Sequence, residues 1–164
     1  MRNDDRLSLT GWRKVWYYLP LVYVSGGAIV MYAISSYALG IAFTIFAMLV
    51  ARNRYRGLRF VSVRTDRSAL NNYALARSLI NRTDWTINRN VHAEVIEAYT
   101  NPPLWRGSWG ELVTLKFESG RILINSICDP DRYPSVASWG QNRRNLSFLS
   151  KALAEDTTRP CLKH

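Results

Sequence analysis

The residues that could do chemistry in this chain are few. His92 and Glu94 sit two apart in an alternating stretch, which places both on one face of a strand and makes an acid–base pair conceivable. A solvated polar strand face has the same pattern, and that is the reading adopted. His164, the other histidine, ends the sequence. Asp129, Asp131 and Glu118 could suggest a metal or a hydrolytic pair, but their spacing is neither that of a calcium loop nor that of a two-metal nuclease. Asp129-Pro130 is ordinary turn chemistry. Ser126 and Cys128 have no base close in sequence to activate them. GxSxG, phosphate-loop and GxGxxG patterns are absent. Cys128 and Cys161 form no CxxC pair and no Cys/His cluster, which argues against zinc; their spacing leaves open whether they join. The expectation is therefore a protein with no catalytic residue, no metal and no cofactor.

Binding chemistry is better represented. Pro102-Pro103-Leu104-Trp105-Arg106-Gly107-Ser108-Trp109-Gly110 collects two prolines, two tryptophans and two glycines in one connection. Trp139-Gly140 is followed closely by Arg143 and Arg144. Exposed tryptophan and arginine dominate interface energetics, and beside a bilayer the same mixture enters headgroups. Trp105, Arg106, Trp109, Trp139, Arg143 and Arg144 are accordingly the candidate partner or lipid contacts; a small core filled by the three tryptophans is the competing reading. Net charge is +10, mostly arginine, yet no block of five like charges occurs, and nucleic acid is not the expected partner.

The elements that must position these groups begin with a run without charge. No charged side chain lies between Lys14 and Arg52. One membrane pass takes about 20 residues, so residues 15–51 are too long for one pass and slightly short for two ideal ones. Arg2, Arg6, Arg13 and Lys14 precede the run; Arg52, Arg54, Arg56 and Arg59 follow it. Basic residues on both flanks predict an even number of passes with both termini cytoplasmic. The reading is a helix over 15–34, a turn near Ser35-Ser36 and a helix over 37–51, with a single long tilted helix as the alternative. Trp12, Trp16, Tyr17 and Tyr18 would form an aromatic interface belt at the cytoplasmic end, with Arg52, Arg54 and Arg56 at the same membrane interface. Gly26, Gly27, Ser36 and Gly40 offer small surfaces for close helix packing, or for self-association into a homo-oligomer. The run holds no Asp, Glu, Lys, Arg or His, which argues against a transporter or channel.

The expected organisation is a cytoplasmic arm at 1–14, a transmembrane hairpin at 15–51, a basic juxtamembrane segment at 52–65, an α+β domain at 66–156 and a flexible tail at 157–164. Phe60, Val61 and Val63 suggest a brief strand. Residues 66–82 read as a helix with Ala69, Tyr73, Ala76 and Ile80 on one face and Asp66 or Ser68 as N-cap. From Trp85 through Val95 the period shifts toward two, ending at Asn101-Pro102-Pro103. Residues 112–117 and 121–127, joined by Glu118-Ser119-Gly120-Arg121, are the clearest hairpin. Residues 142–154 close the domain as a helix with Leu146, Leu149 and Leu153 aligned.

The segments LVTLKFESGRILINSI and NRRNLSFLSKAL, together with the apolar hairpin, resemble small bacterial membrane proteins that join two helices to a pleckstrin-homology-like domain. The resemblance covers roughly residues 91–155 plus the hairpin; the helical stretch at 66–82 departs from it. It implies a small curved antiparallel sheet capped by a C-terminal helix, held at the bacterial inner membrane with lipid around its anchor. In size and layout the chain also resembles immunity proteins that neutralise membrane-targeted secreted toxins. That implies a non-enzymatic role in which the domain docks a protein partner, a toxin or a membrane complex. A lipid-headgroup-sensing or scaffold subunit is the alternative.

Overall fold

The computed structural model describes residues 6–101, 110–132 and 140–158. Two helices come first, α1 (Gly11–Ala33) and α2 (Tyr37–Gly57). They pack on each other through a turn at 34–36 in which Ser35 takes φ 60°. A serine is an uncommon choice for the left-handed region, which is why the turn carries no glycine signal in sequence. α1 starts four residues before the charge-free run, and Pro20 lies inside the helix. Gly40 explains how closely the pair approaches. A Cβ there would lie 2.7 Å from Cε1 of Tyr32.

α1 is long and apolar enough to cross a membrane, by length and composition, and among the described residues it is the one helix that is. The sequence predicts two such helices; α2 falls short for a physical reason. Its apolar part is residues 37–51, and the helix then continues through Arg52, Arg54 and Arg56 as regular helix to Gly57. Arginine has high helix propensity, so the basic segment extends α2 instead of leaving it.

The remainder is α+β. The strands are β1 (Val61–Arg64), β2 (Thr86–Val91), β3 (Val95–Tyr99), β4 (Glu111–Glu118) and β5 (Arg121–Cys128); the helices are α3 (Ala69–Ile80) and α4 (Gln141–Thr158). All pairings are antiparallel, in the order β1-β5-β4-β3-β2, so β1 and β2 are the two edges of an open sheet. β4 and β5 pair along their whole length, from Glu111 opposite Cys128 to Glu118 opposite Arg121, and Gly120 turns the hairpin at φ 79°. Ser68 caps α3, accepting from the Asn71 amide at 3.3 Å.

The stretch expected as one strand from Trp85 onward is two. Ala93 adopts φ 57° in a turn at 92–94, and β2 and β3 fold back on each other. His92 and Glu94 thus lie in the turn, not on a shared strand face, and the His92 ring stands 4.8 Å from that of Tyr73.

Both faces of the sheet are covered. One face carries Ile96, Ala98, Val113, Leu115, Phe117, Ile122 and Ile124, closed by Tyr73, Ala76 and Ile80 of α3 and Leu149 and Leu153 of α4. Burial of that apolar area is the main stabilising term for the domain. On the opposite face, Leu112 and Ile127 pack with Leu7, Tyr17 and Leu58 from the helical pair and the segments flanking it. The strand positions that alternate as polar, Thr114 and Asn125, are therefore buried as well.

Candidate functional site

The point where the helical pair meets the sheet gathers the polar chemistry of the molecule. Arg13, in the first turn of α1, faces β3 and the segment after β5. Its Nε donates to Asp131 Oδ2 at 2.9 Å, its Nη1 to Glu97 Oε2 at 3.1 Å and its Nη2 to the Tyr99 hydroxyl at 3.0 Å. Tyr99 in turn donates to Asp131. Glu97, largely buried, also has Arg89 Nη1 at 3.7 Å. Charge-assisted bonds in such a fork hold both distance and orientation. Burial alone would raise the Asp131 carboxyl, but the bonds from Arg13 and Tyr99 outweigh it and hold it below the ordinary carboxylate value. Burial, then the bond to Asp131, pushes the Tyr99 phenol well above its usual range. Asp129, two residues before Asp131, is shifted upward by burial. Its Oδ1 accepts from the Asp131 amide at 2.8 Å, and its Oδ2 lies 3.3 Å from Arg132 Nε. These are the bonds of a local turn, consistent with the Asp-Pro reading.

A second tie runs through α2. Asn125 on β5 donates to the carbonyl oxygens of Gly57 and Arg59, satisfying backbone acceptors at and just beyond the C-terminal end of the helix. Tyr17 donates from its hydroxyl to the Arg54 carbonyl at 2.8 Å, and the Arg54 guanidinium lies 4.7 Å from the Tyr17 ring centre. The N-terminal segment adds a backbone bond from the Leu7 amide to the Leu58 carbonyl at 2.8 Å.

Beside this junction opens a cleft of about 580 Å³ between the end of α2, the start of β1, the end of β5 and the start of α4. Arg54, Arg56, Arg59 and Arg143 line it together with Asn53 and Asn142, and among the described residues no carboxylate does. Arg54 is only 6% exposed, and its Nη2 has no hydrogen-bond partner among the described residues. Cys128 and Ser126 also face the cleft; Ser126 is bonded to Asn142 at 3.2 Å and to Asn145 at 3.3 Å.

The residues singled out from sequence distribute as follows. Arg54, Arg56 and Arg143 come together in the cleft although nearly ninety positions separate the first from the last. Arg52 and Arg144 are exposed and do not line it. Trp12 and Trp16 stack edge to face at 6.0 Å, with Trp12 70% exposed. Tyr17 is buried in the junction, with Tyr18 against it. Gly27 and Gly40 face the partner helix, Phe43 and Tyr32 respectively, whereas a Cβ on Gly26 would meet open space. Ser36 precedes α2 without capping it through its side chain. Trp105, Arg106, Trp109, Trp139 and Cys161 lie outside the described residues.

Arg13, Glu97, Tyr99 and Asn125 were not legible as site residues. Arg13 reads from sequence as a topology signal, and Asn125 as one polar residue between Ile124 and Ser126. The available signal was small: an amide in the middle of an otherwise apolar strand is buried on whichever face is covered, and then requires partners.

Comparison with family models, curated proteins and solved structures gives no match.

Proposed function

We propose that the chain is an integral membrane protein whose two helices anchor it, and that the sheet domain is a binding module held rigidly against the surface from which the helices emerge. The observation that carries this is the double tie at the junction: Arg13 of α1 to Glu97 and Asp131, and Asn125 of β5 to the end of α2. A flexible linker would leave the domain free to turn; here backbone caps and a forked ion pair fix its orientation to both helices.

The membrane assignment is supported by exposure of large apolar side chains on both helices. Val22, Ile29, Tyr37, Ile41 and Met48 are each more than half exposed. An apolar surface of that extent on a soluble monomer would drive association. Arg13, Lys14, Arg52 and Arg56 sit at the base of the helices, where headgroups would begin. Two passes with both termini on the cytoplasmic side fit the basic flanks.

The role proposed is non-enzymatic recognition at an anionic membrane surface, as a lipid-sensing or scaffold subunit. The arginine cleft at the membrane-proximal end of the domain favours that reading. Docking of a protein partner, including occlusion of a membrane-targeted toxin, is the alternative proposal and rests on the composition of residues 102–109. Fusing a periplasm-dependent and a cytoplasm-dependent reporter to each terminus tests the anchor. Both termini should report cytoplasm, and resistance of the chain to alkaline extraction should accompany that result. Opposite readings from the two termini would exclude two passes, and release of the chain into the alkaline supernatant would exclude the anchor.

A further inference from the structure

We propose that the cleft between α2, β1, β5 and α4 is a binding site for a phosphate group, with Arg54 as its buried donor and Arg56, Arg59 and Arg143 as donors at its rim.

The argument starts from Arg54. Withdrawing a guanidinium from water is costly unless its donors are satisfied, and the Tyr17 ring beneath it compensates only part of that cost. Its Nη2 is enclosed and bonded to nothing among the described residues, and none of the described residues that line the cleft with Arg54 is a carboxylate. Four arginines around one concavity repel one another, and an anion placed among them relieves that repulsion. The opening of α4 adds to the same field. Gly140, Asn142 and Arg143 line the cleft at the start of the helix, the end that carries the positive partial charge of its dipole.

The shape of this field selects phosphate over a single carboxylate. A carboxylate offers two oxygens and one charge. A phosphate ester offers up to three terminal oxygens, arranged for the planar forks of several guanidinium groups at once. The volume, about 580 Å³, leaves room for a glycerol or sugar beyond the phosphate. The ligand class is therefore a phosphate ester, supplied either by an anionic lipid headgroup or by a soluble phosphate compound. The lipid source rests on the membrane-anchored reading above; the phosphate chemistry does not.

The test uses the full chain in a neutral detergent. Titration calorimetry is run with dioctanoyl phosphatidic acid, dioctanoyl phosphatidylglycerol, dioctanoyl phosphatidylcholine and inorganic phosphate. Saturable binding of the anionic probes at one site per chain is expected, with the choline lipid at least tenfold weaker. Arg143→Gln and Arg56→Gln, both exposed positions whose loss leaves the core intact, should each weaken binding several-fold. Arg54→Gln should weaken it most; if that variant fails to fold, the two rim variants carry the test. Binding of the anionic lipids alone identifies a headgroup site, and comparable binding of inorganic phosphate identifies a soluble ligand; either upholds the site. Absence of saturable binding by all anionic probes, or rim variants indistinguishable from the parent, overturns it. Failure here leaves the alkaline-extraction result untouched, so the two proposals fail separately.

Discussion

The side-chain nitrogen of Asn125 lies 2.8 Å from the Gly57 carbonyl oxygen and 2.8 Å from that of Arg59. One amide in the middle of β5 thus serves two backbone acceptors where α2 ends, and the helix is joined to the sheet without a linker.

Removing that amide should therefore destabilise the junction more than a surface change would. Asn125→Leu leaves two part-buried carbonyl oxygens without their donor, a loss of about 1–3 kcal/mol. Asn125→Asp should be worse, because a carboxylate aimed at carbonyls has no proton to donate at neutral pH. Thermal unfolding of the full chain in detergent measures both. An Asn125→Leu midpoint equal to the parent's would show that the carbonyls find other partners.

Arg13 and Glu97 should be energetically coupled. Glu97 is 8% exposed and stands between Arg13 at 3.1 Å and Arg89 at 3.7 Å. Arg13→Gln leaves Glu97 with only the longer partner, and Glu97→Gln leaves Arg13 with Asp131 and Tyr99. A double-mutant cycle should return a coupling of about 1–3 kcal/mol. Strict additivity of the two single changes would mean the fork holds nothing together.

Stability should fall in acid through Asp131. Its folded-state carboxyl is held below the ordinary value, chiefly by Arg13 and Tyr99 acting against burial. A depressed acid contributes stability that is full above its unfolded value of about 3.9 and is lost as pH drops through the lower folded value. Asp129 is raised, so it acts in the opposite sense and gains favour as pH falls. Asp131→Asn should flatten the acid limb of a stability–pH curve relative to the parent. An unchanged acid limb would remove Asp131 as its source.

The helical pair should distinguish its glycines. A Cβ at Gly40 would lie 2.7 Å from the Tyr32 ring, one at Gly27 3.2 Å from Phe43, and one at Gly26 would meet nothing within 4 Å. Gly40→Val should cost about 1–3 kcal/mol by overpacking, and Gly26→Val little. Gly27→Val should fall between them. Thermal stability in detergent ranks the three; equal losses at Gly26 and Gly40 would contradict the packing seen here.

Local pattern made much of the fold readable. The β4–β5 hairpin follows from alternation around a Glu-Ser-Gly-Arg turn, and α4 from leucines at helical spacing. Ser68 was one of two caps offered by the sequence, and its side chain is the one that bonds. The turn at 92–94 was hidden because Ala93 carries no glycine or asparagine signal for its left-handed backbone. Thr114 and Asn125 are buried polar strand positions, and nothing local reports that another element will cover them.

The sequence by itself determined the secondary structure of the helical pair, the antiparallel hairpin at the centre of the sheet and the core face of α3 and α4. Each depends on a period of two or 3.6 residues, and such periods are properties of short segments. Only the tertiary structure decided that the second sheet face is closed by Leu7, Tyr17 and Leu58, and that Arg54, Arg56 and Arg143 share one cleft. Those relations join residues far apart along the chain, where no local periodicity connects them, and they arise when α2 is seated on β5 and α4 is laid beside its end.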